Sequence, residues 1–335
     1  MLRKILIRGL YGIVLLLCIV TTAGIGLLLE SKQFVFKKTI TEENSVSVID
    51  SSPFPVSVDP KARTIIEADL LGNHTYETLA KKEEAENDTW QAKAVAFFFN
   101  RDWYQNLASP VSRIVVIWPG ERKEEVVKNV GDVLRWNTEQ RKIFTTLIED
   151  SEPALLEGKF YPGEYIAHRG ATPAEVAIMI QEKFNTDILN RYTQEVEAKV
   201  PLKDALIIAS LLEREARDFE NMREISGVIW NRLFINMPLQ LDATLQYARG
   251  GTAKSWWPAV KPADKYVKSP YNTYANSGLP PGPIANPSAA SVLAALNPLS
   301  TDCIYYFHDT KGNYYCSETY EGHVTKLKAI YGRGS

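Results

Sequence analysis

The stretch LKDALIIASLLEREARDF, residues 202–219, decides how this chain reads. A helix turns by about 100° per residue, and with Ala205 as origin one arc, centred near roughly 350°, collects Ala205, Ile208, Ala209, Leu212, Ala216 and Phe219. That arc is the expected buried stripe. Glu215 lies about 70° from its centre and Glu213 about 90° from it. Glu215 thus stacks over Leu211 and beside Ile208, on the shoulder of the stripe. A carboxyl group there is partly desolvated, which disfavours its charged form and raises its pKa. An acid that keeps its proton near neutral pH can donate it. Cleavage of a glycosidic bond needs such a donor, because the leaving oxygen must be protonated. The same letters also describe a solvated charged face of Glu213, Arg214, Glu215, Arg217 and Asp218. Pattern alone leaves both readings open.

The segments that follow add polar and aromatic groups. Val228-Ile-Trp-Asn-Arg232 continues a second helix and ends in an amide and a guanidinium. In Leu239–Thr244, period-2 alternation would put Gln240, Asp242 and Thr244 on one face. Tyr271-Asn272-Thr273-Tyr274 precedes a loop rich in proline and glycine, Ser277–Ile284, with glycines free to take positive φ. Amides and carboxylates suit hydroxyl groups, and tyrosine rings offer flat apolar faces to sugars. The plainer readings are a helix cap, a solvated strand face and simple loop packing.

Upstream, Arg113–Trp118 is β-branched and strand-like, and Pro119-Gly120 turns it. Val126, Val127, Val130 and Leu134 recur at helical spacing within Lys123–Leu134. Leu156–Tyr165 is a turn-rich strand region. Thr172, Pro173 and Glu175 spell N-cap, N1 and N3 of a further helix. Alternating strand and helix signals predict an α+β fold. Residues 30–110 read as a membrane-proximal α+β region of unassigned fold, with a helix near Glu77–Glu86 and the aromatic run Phe97–Phe99.

Residues 9–29 (GLYGIVLLLCIVTTAGIGLLL) carry no charge. As a helix they would reach roughly 31 Å, the thickness of a bilayer core. Arg3, Lys4 and Arg8 precede the run and favour a cytoplasmic tail over residues 1–8. A cleaved signal peptide would have a shorter apolar core. The expectation is a single-pass anchor in the cytoplasmic membrane, with the remainder on the extracytoplasmic, or periplasmic, side. A net charge of −2 over 335 residues gives no electrostatic footprint for nucleic acid. The three cysteines and four histidines show no local metal spacing, so neither metal nor cofactor is expected. Cys303 and Cys316 flank a hairpin expected to turn near Asp309–Gly312, and their pairing depends on a register the letters leave open.

The ordered blocks ASLLEREA (209–216), VIWNRL (228–233), LQLDATLQY (239–247), PYNTYANSGLPPGPIANP (270–287) and FHDTKGNYYCSETYEGH (307–323) resemble the endolytic murein transglycosylase (MltG, YceG-like) family. The resemblance covers roughly residues 112–333, within a catalytic region taken as residues 111–335 with its core of motifs at 202–323. It implies a lyase acting on peptidoglycan glycan strands, which cleaves the MurNAc–GlcNAc bond, leaves a 1,6-anhydro end and terminates strand elongation. It also implies peptidoglycan synthases as partners. The family's acid is the second carboxylate of an E-[KR]-E motif, here Glu215. Glu213, Gln240, Asp242, Asn272, Tyr274 and His323 fall at motif positions and are expected to bind substrate. The alternatives are a peptidoglycan hydrolase, with Asp242 or Glu213 as a second carboxylate, and a non-catalytic glycan-binding scaffold.

Overall fold

A computed structural model describes residues 52–66, 112–151, 153–252 and 255–332, all within one unit, Ser51–Ser335. The expected anchor at 9–29, the helix near Glu77–Glu86 and the Phe97–Phe99 run lie outside the described residues. Among the described residues no helix is long and apolar enough to cross a membrane.

The described chain is α+β. A short ladder pairs β1 (Val58–Asp59) with β2 (Thr64–Ile65). A βααβ unit follows: β3 (Ser112–Ile117), α1 (Lys123–Val133), α2 (Thr138–Glu149) and β4 (Gly163–His168). β3 and β4 are antiparallel with Ser112 opposite His168 and Ile117 opposite Gly163. The pleat sends alternate residues inward, so Val115 and Tyr165, paired across the ladder, are both buried. Val126, Val130, Phe144 and Ile148 of the two helices close that face, with Phe144 edge-on to Phe160 at 5.8 Å between ring centroids. The expected cap of α3 (Pro173–Asp187) is present: Thr172 accepts the Glu175 N–H, and Glu175 reaches back to the Thr172 N–H.

After α4 (Gln194–Lys199) comes a helical layer: α5 (Leu202–Glu215), α6 (Phe219–Phe234), α7 (Asp242–Arg249) and α8 (Ala289–Leu296). Three readings of the sequence change here. The stretch 202–219 is not one helix. It stops at Glu215, because the Asp218 carboxylate accepts the Asn221 N–H and caps a new helix at Phe219. Nor does α5 have a single apolar stripe, since every residue from Ala205 to Leu212 is buried. The reason is α8, whose sequence AASVLAAL is small enough to lie close against a helix already packed on α6. Likewise 239–244 is not an alternating strand. α7 begins at Asp242, Thr244 turns inward, and Gln240 takes φ 49° just ahead of the helix.

The chain ends in a hairpin, β5 (Tyr305–His308) and β6 (Tyr314–Ser317), and in α9 (Tyr320–Tyr331). Tyr306 is opposite Cys316, and a Cys303–Cys316 disulfide closes the hairpin's open end. Gly312, with φ 86°, makes the turn, and a Cβ there would collide with the guanidinium of Arg217, which donates to the Lys311 carbonyl. The hairpin is thereby fastened beside the break between α5 and α6.

Candidate active site

Glu215 is the last residue of α5. It is half-buried: solvent reaches part of it, yet protein surrounds the carboxyl closely enough that desolvation is the largest influence on its pKa, which is raised. The nearby charge of Asp242 raises it further. Three groups act the other way: the Tyr306 hydroxyl, the Ala243 N–H and the Arg214 charge. The Tyr306 hydroxyl donates to Oε2 at 3.0 Å. Ala243 lies in the first turn of α7, where the first four N–H groups have no partner within the helix, so the carboxyl takes up one of these donors.

Tyr306 comes from β5. Burial pushes its phenol well above the usual range, and the Glu215 charge pushes the same way, so it stays protonated and can act as a donor. Arg232 of α6 is buried nearby. Its Nε donates to the Ile304 carbonyl at 2.6 Å, and another nitrogen donates to the Leu239 carbonyl. One guanidinium thus ties the entry to β5 to the segment leading into α7. Burial lowers its pKa, and the Glu215 carboxylate opposes that shift. Asn231 ties α6 to the same approach, donating to the carbonyls of Thr301 and Cys303 at 2.6 and 3.0 Å.

On the exposed flank the Tyr274 hydroxyl donates to Asp242 Oδ1 at 2.7 Å. Burial raises the Tyr274 pKa, and Asp242 adds to the rise. Asn272 holds that tyrosine in place from beneath. It is fully buried, its amide donates to the carbonyls of Lys265 and Val267 at 3.0 and 2.8 Å, and its oxygen accepts the Tyr274 N–H. Buried hydroxyls link this loop to α7: Thr273 and Thr244 are 2.9 Å apart, and Thr273 accepts the Leu241 N–H at 3.0 Å. Gln240 is exposed, with its N–H on the Thr273 carbonyl. The same loop walls a surface cavity of about 450 Å³ formed by residues from Tyr266 to Asn276.

The structure therefore brings Glu215, Asp242 and Tyr274 together, with Gln240 beside them on the approach to α7. The other three expected residues face elsewhere. Glu213 Oε1 accepts the Ser288 N–H at 2.8 Å, at the cap of α8. Asn272 spends its amide on loop backbone. His323 of α9 packs against Tyr305 and Phe307, both at 5.5 Å, and alternation along β5 puts those rings on the face opposite Tyr306. Tyr306 and Arg232 join the site although neither was among the expected residues. Alternation in Tyr305–His308 separates Tyr306 from its neighbours, but which face meets α5 depends on a docking that local pattern does not carry. Among the described residues no cluster of His, Cys, Asp and Glu could hold a metal ion.

A desolvated carboxyl at the end of an enclosed helix, open to solvent beside hydroxyl and carboxylate groups, is the arrangement an acid–base catalyst needs. The chain belongs to the YceG-like family, whose model matches residues 62–329. It is similar to an endolytic murein transglycosylase of Bacillus subtilis (strain 168), 37% identical over 214 residues, 62% of this chain and 58% of that protein. It is also similar to one of Streptococcus pneumoniae serotype 2 (strain D39 / NCTC 7466), 31% identical over 170 residues, 50% of this chain and 31% of that protein. The matched region thus spans less than two thirds of each relative. Among solved structures, a 2.6 Å crystal structure of a YceG-like protein from Listeria monocytogenes aligns with TM-score 0.56 and 28% identity, covering 64% of this chain and 76% of that one.

Proposed function

We propose that this chain is an endolytic murein transglycosylase. The observation that carries the reading is Glu215, a desolvated carboxyl at the solvent-facing end of α5 in a member of this family. Glu215 protonates the oxygen joining N-acetylmuramic acid to N-acetylglucosamine. The C1–O bond breaks, and the muramyl 6-hydroxyl attacks its own C1. The Glu215 carboxylate takes the proton of that hydroxyl and is restored as the acid. No water is consumed, so the products are a 1,6-anhydro end and a free 4-hydroxyl. Asp242, Tyr274 and Gln240 bind the sugars flanking the bond. Glu213, Asn272 and His323 serve by holding the surrounding elements in place.

Residues 9–29 anchor the chain in the cytoplasmic membrane, and the catalytic region, residues 111–335, works on nascent strands outside it, alongside peptidoglycan synthases. The Cys303–Cys316 disulfide supports an oxidising compartment. Mass spectrometry of products from purified peptidoglycan tests the reading. Wild type should release anhydro-muropeptides and Glu215→Gln should not. Reducing ends from wild type would instead indicate hydrolysis with Asp242 as second carboxylate. Full complementation of a deletion strain by Glu215→Gln would indicate a glycan-binding scaffold.

A further inference from the structure

The site contains a group that neither the motif nor the proposed reaction requires. The Tyr306 hydroxyl is the side-chain donor on Glu215, at 3.0 Å from Oε2. It arrives on a strand whose position is over-determined. The Cys303–Cys316 disulfide closes the hairpin at one end, and Arg217 holds the turn at the other. Arg232 binds the Ile304 carbonyl two residues before it. Few hydroxyls on a surface hairpin are fixed from three directions, and this one points at the carboxyl rather than at solvent.

We propose that Tyr306 is a positioning residue for the acid: its hydroxyl holds Oε2 and so fixes how the carboxyl is presented to the substrate. This inference rests on Glu215 being the acid. In the forward step the carboxyl O–H bond breaks as the proton moves to the glycosidic oxygen, and the carboxylate left behind keeps the Tyr306 and Ala243 donors. Both hydrogen bonds strengthen as negative charge develops, so they favour the transition state over the ground state. In the return step the same carboxylate, held in the same orientation, recovers a proton from the 6-hydroxyl.

The test is Tyr306→Phe, which removes the hydroxyl and keeps the ring. Arg214 on α5, Asp242 on α7, Arg232 on α6 and Tyr274 on its loop also act on Glu215 and are unchanged in the variant. Turnover should fall roughly 10- to 100-fold with little change in KM, the loss of a hydrogen bond to a charged group made mainly in the transition state. The alkaline limb of the pH–rate profile, where the acid loses its proton, should move to higher pH, because a bond favouring the carboxylate is gone. An unchanged limb and unchanged kcat in an active enzyme would overturn the proposal. If wild type releases no anhydro product, the functional reading fails, and a 13C NMR titration of the Glu215 carboxyl decides this one: the phenylalanine variant should titrate higher, and an identical titration refutes it. Should that variant not fold, 3-fluorotyrosine at position 306 replaces it. Its stronger donor should lower the Glu215 titration, and no movement refutes the proposal.

Discussion

Glu213 and Glu215 stand two residues apart at the end of α5, and desolvation is the largest influence on both, raising both pKa values. They differ in what meets their oxygens. Glu213 faces the inner side, where the Ser288 N–H and the hydroxyls of Ser288 and Ser291 converge on it at the start of α8. Glu215 faces the outer side, where an exposed Asp242, a half-buried Tyr274 and solvent lie next to it. Desolvation alone therefore does not single out an acid. An acid also needs a path for substrate. The inner face continues into the βααβ unit through Asn286, whose oxygen accepts the N–H groups of Gly158 and Phe160 at 3.1 and 2.9 Å and whose amide donates to the Glu121 backbone carbonyl at 2.9 Å and to Glu157 Oε1 at 3.2 Å.

The largest effect should come from breaking the outer face. Glu215→Gln removes the proton donor and should lower anhydro-muropeptide formation by about 10² to 10⁴-fold, the usual contribution of a general acid. It should leave the thermal midpoint little changed, since the amide is close in shape to the carboxyl and its oxygen can still accept the Tyr306 hydroxyl. A large loss of stability instead would mean that Glu215 belongs with the structural carboxylates.

The next effect belongs to the inner face and is read in stability against pH. Burial raises Glu157 to about 8 and Glu121 to about 7, against an ordinary 4.5. The folded state then holds protons that the unfolded chain has released. The stability these groups contribute is full below about pH 4.5 and is lost as pH rises through their folded values. Urea midpoints measured from pH 5 to 9 should fall with pH, and Glu157→Gln should flatten that fall, by a few kcal/mol at most. A midpoint that rises over this range would contradict the burial of Glu157 and Glu121 as the cause.

Glu213→Ala should cost about 1–3 kcal/mol, because it leaves the part-buried Ser288 N–H at the start of α8 without the Glu213 carboxylate. Activity per folded molecule should stay close to wild type. That outcome inverts the expected result for Glu215→Gln, and equal activity losses in the two variants would dissolve the contrast between the faces.

How much of this was legible in the letters follows the range of each interaction. The capping box at Thr172 and the strand at Arg113–Trp118 rest on near neighbours, and both form within a residue of their expected bounds. The break after Glu215 was equally local, since Asp218 is a good cap, but an unbroken helical periodicity through Phe219 masked it. The full enclosure of α5 was not legible, because it depends on α8 some 75 residues later, as the Glu213 to Ser288 bond itself shows. The wheel separated Glu215 from Glu213 by burial, and burial turned out to be common to both. Tyr306 was missed for the same reason: which face of a short strand meets a distant helix is set by docking, and the Arg217 and Arg232 bonds that hold the hairpin there join residues 94 and 72 positions apart.

The smallest effect concerns Asp242, and its sign is the useful part. Its charge raises the Glu215 pKa, so Asp242→Asn should lower that pKa and move the alkaline limb of the pH–rate profile to lower pH, opposite to Tyr306→Phe. The asparagine oxygen can still accept the Tyr274 hydroxyl, so the loop should stay in place. Asp242 is exposed, and water and salt screen its charge, so the displacement should be small and should shrink as ionic strength rises. A second catalytic carboxylate would behave differently: its loss would lower turnover by orders of magnitude at every pH rather than slide the profile. Steady-state rates of Asp242→Asn across pH, at low and high salt, therefore separate a residue that tunes the acid from one that shares its chemistry.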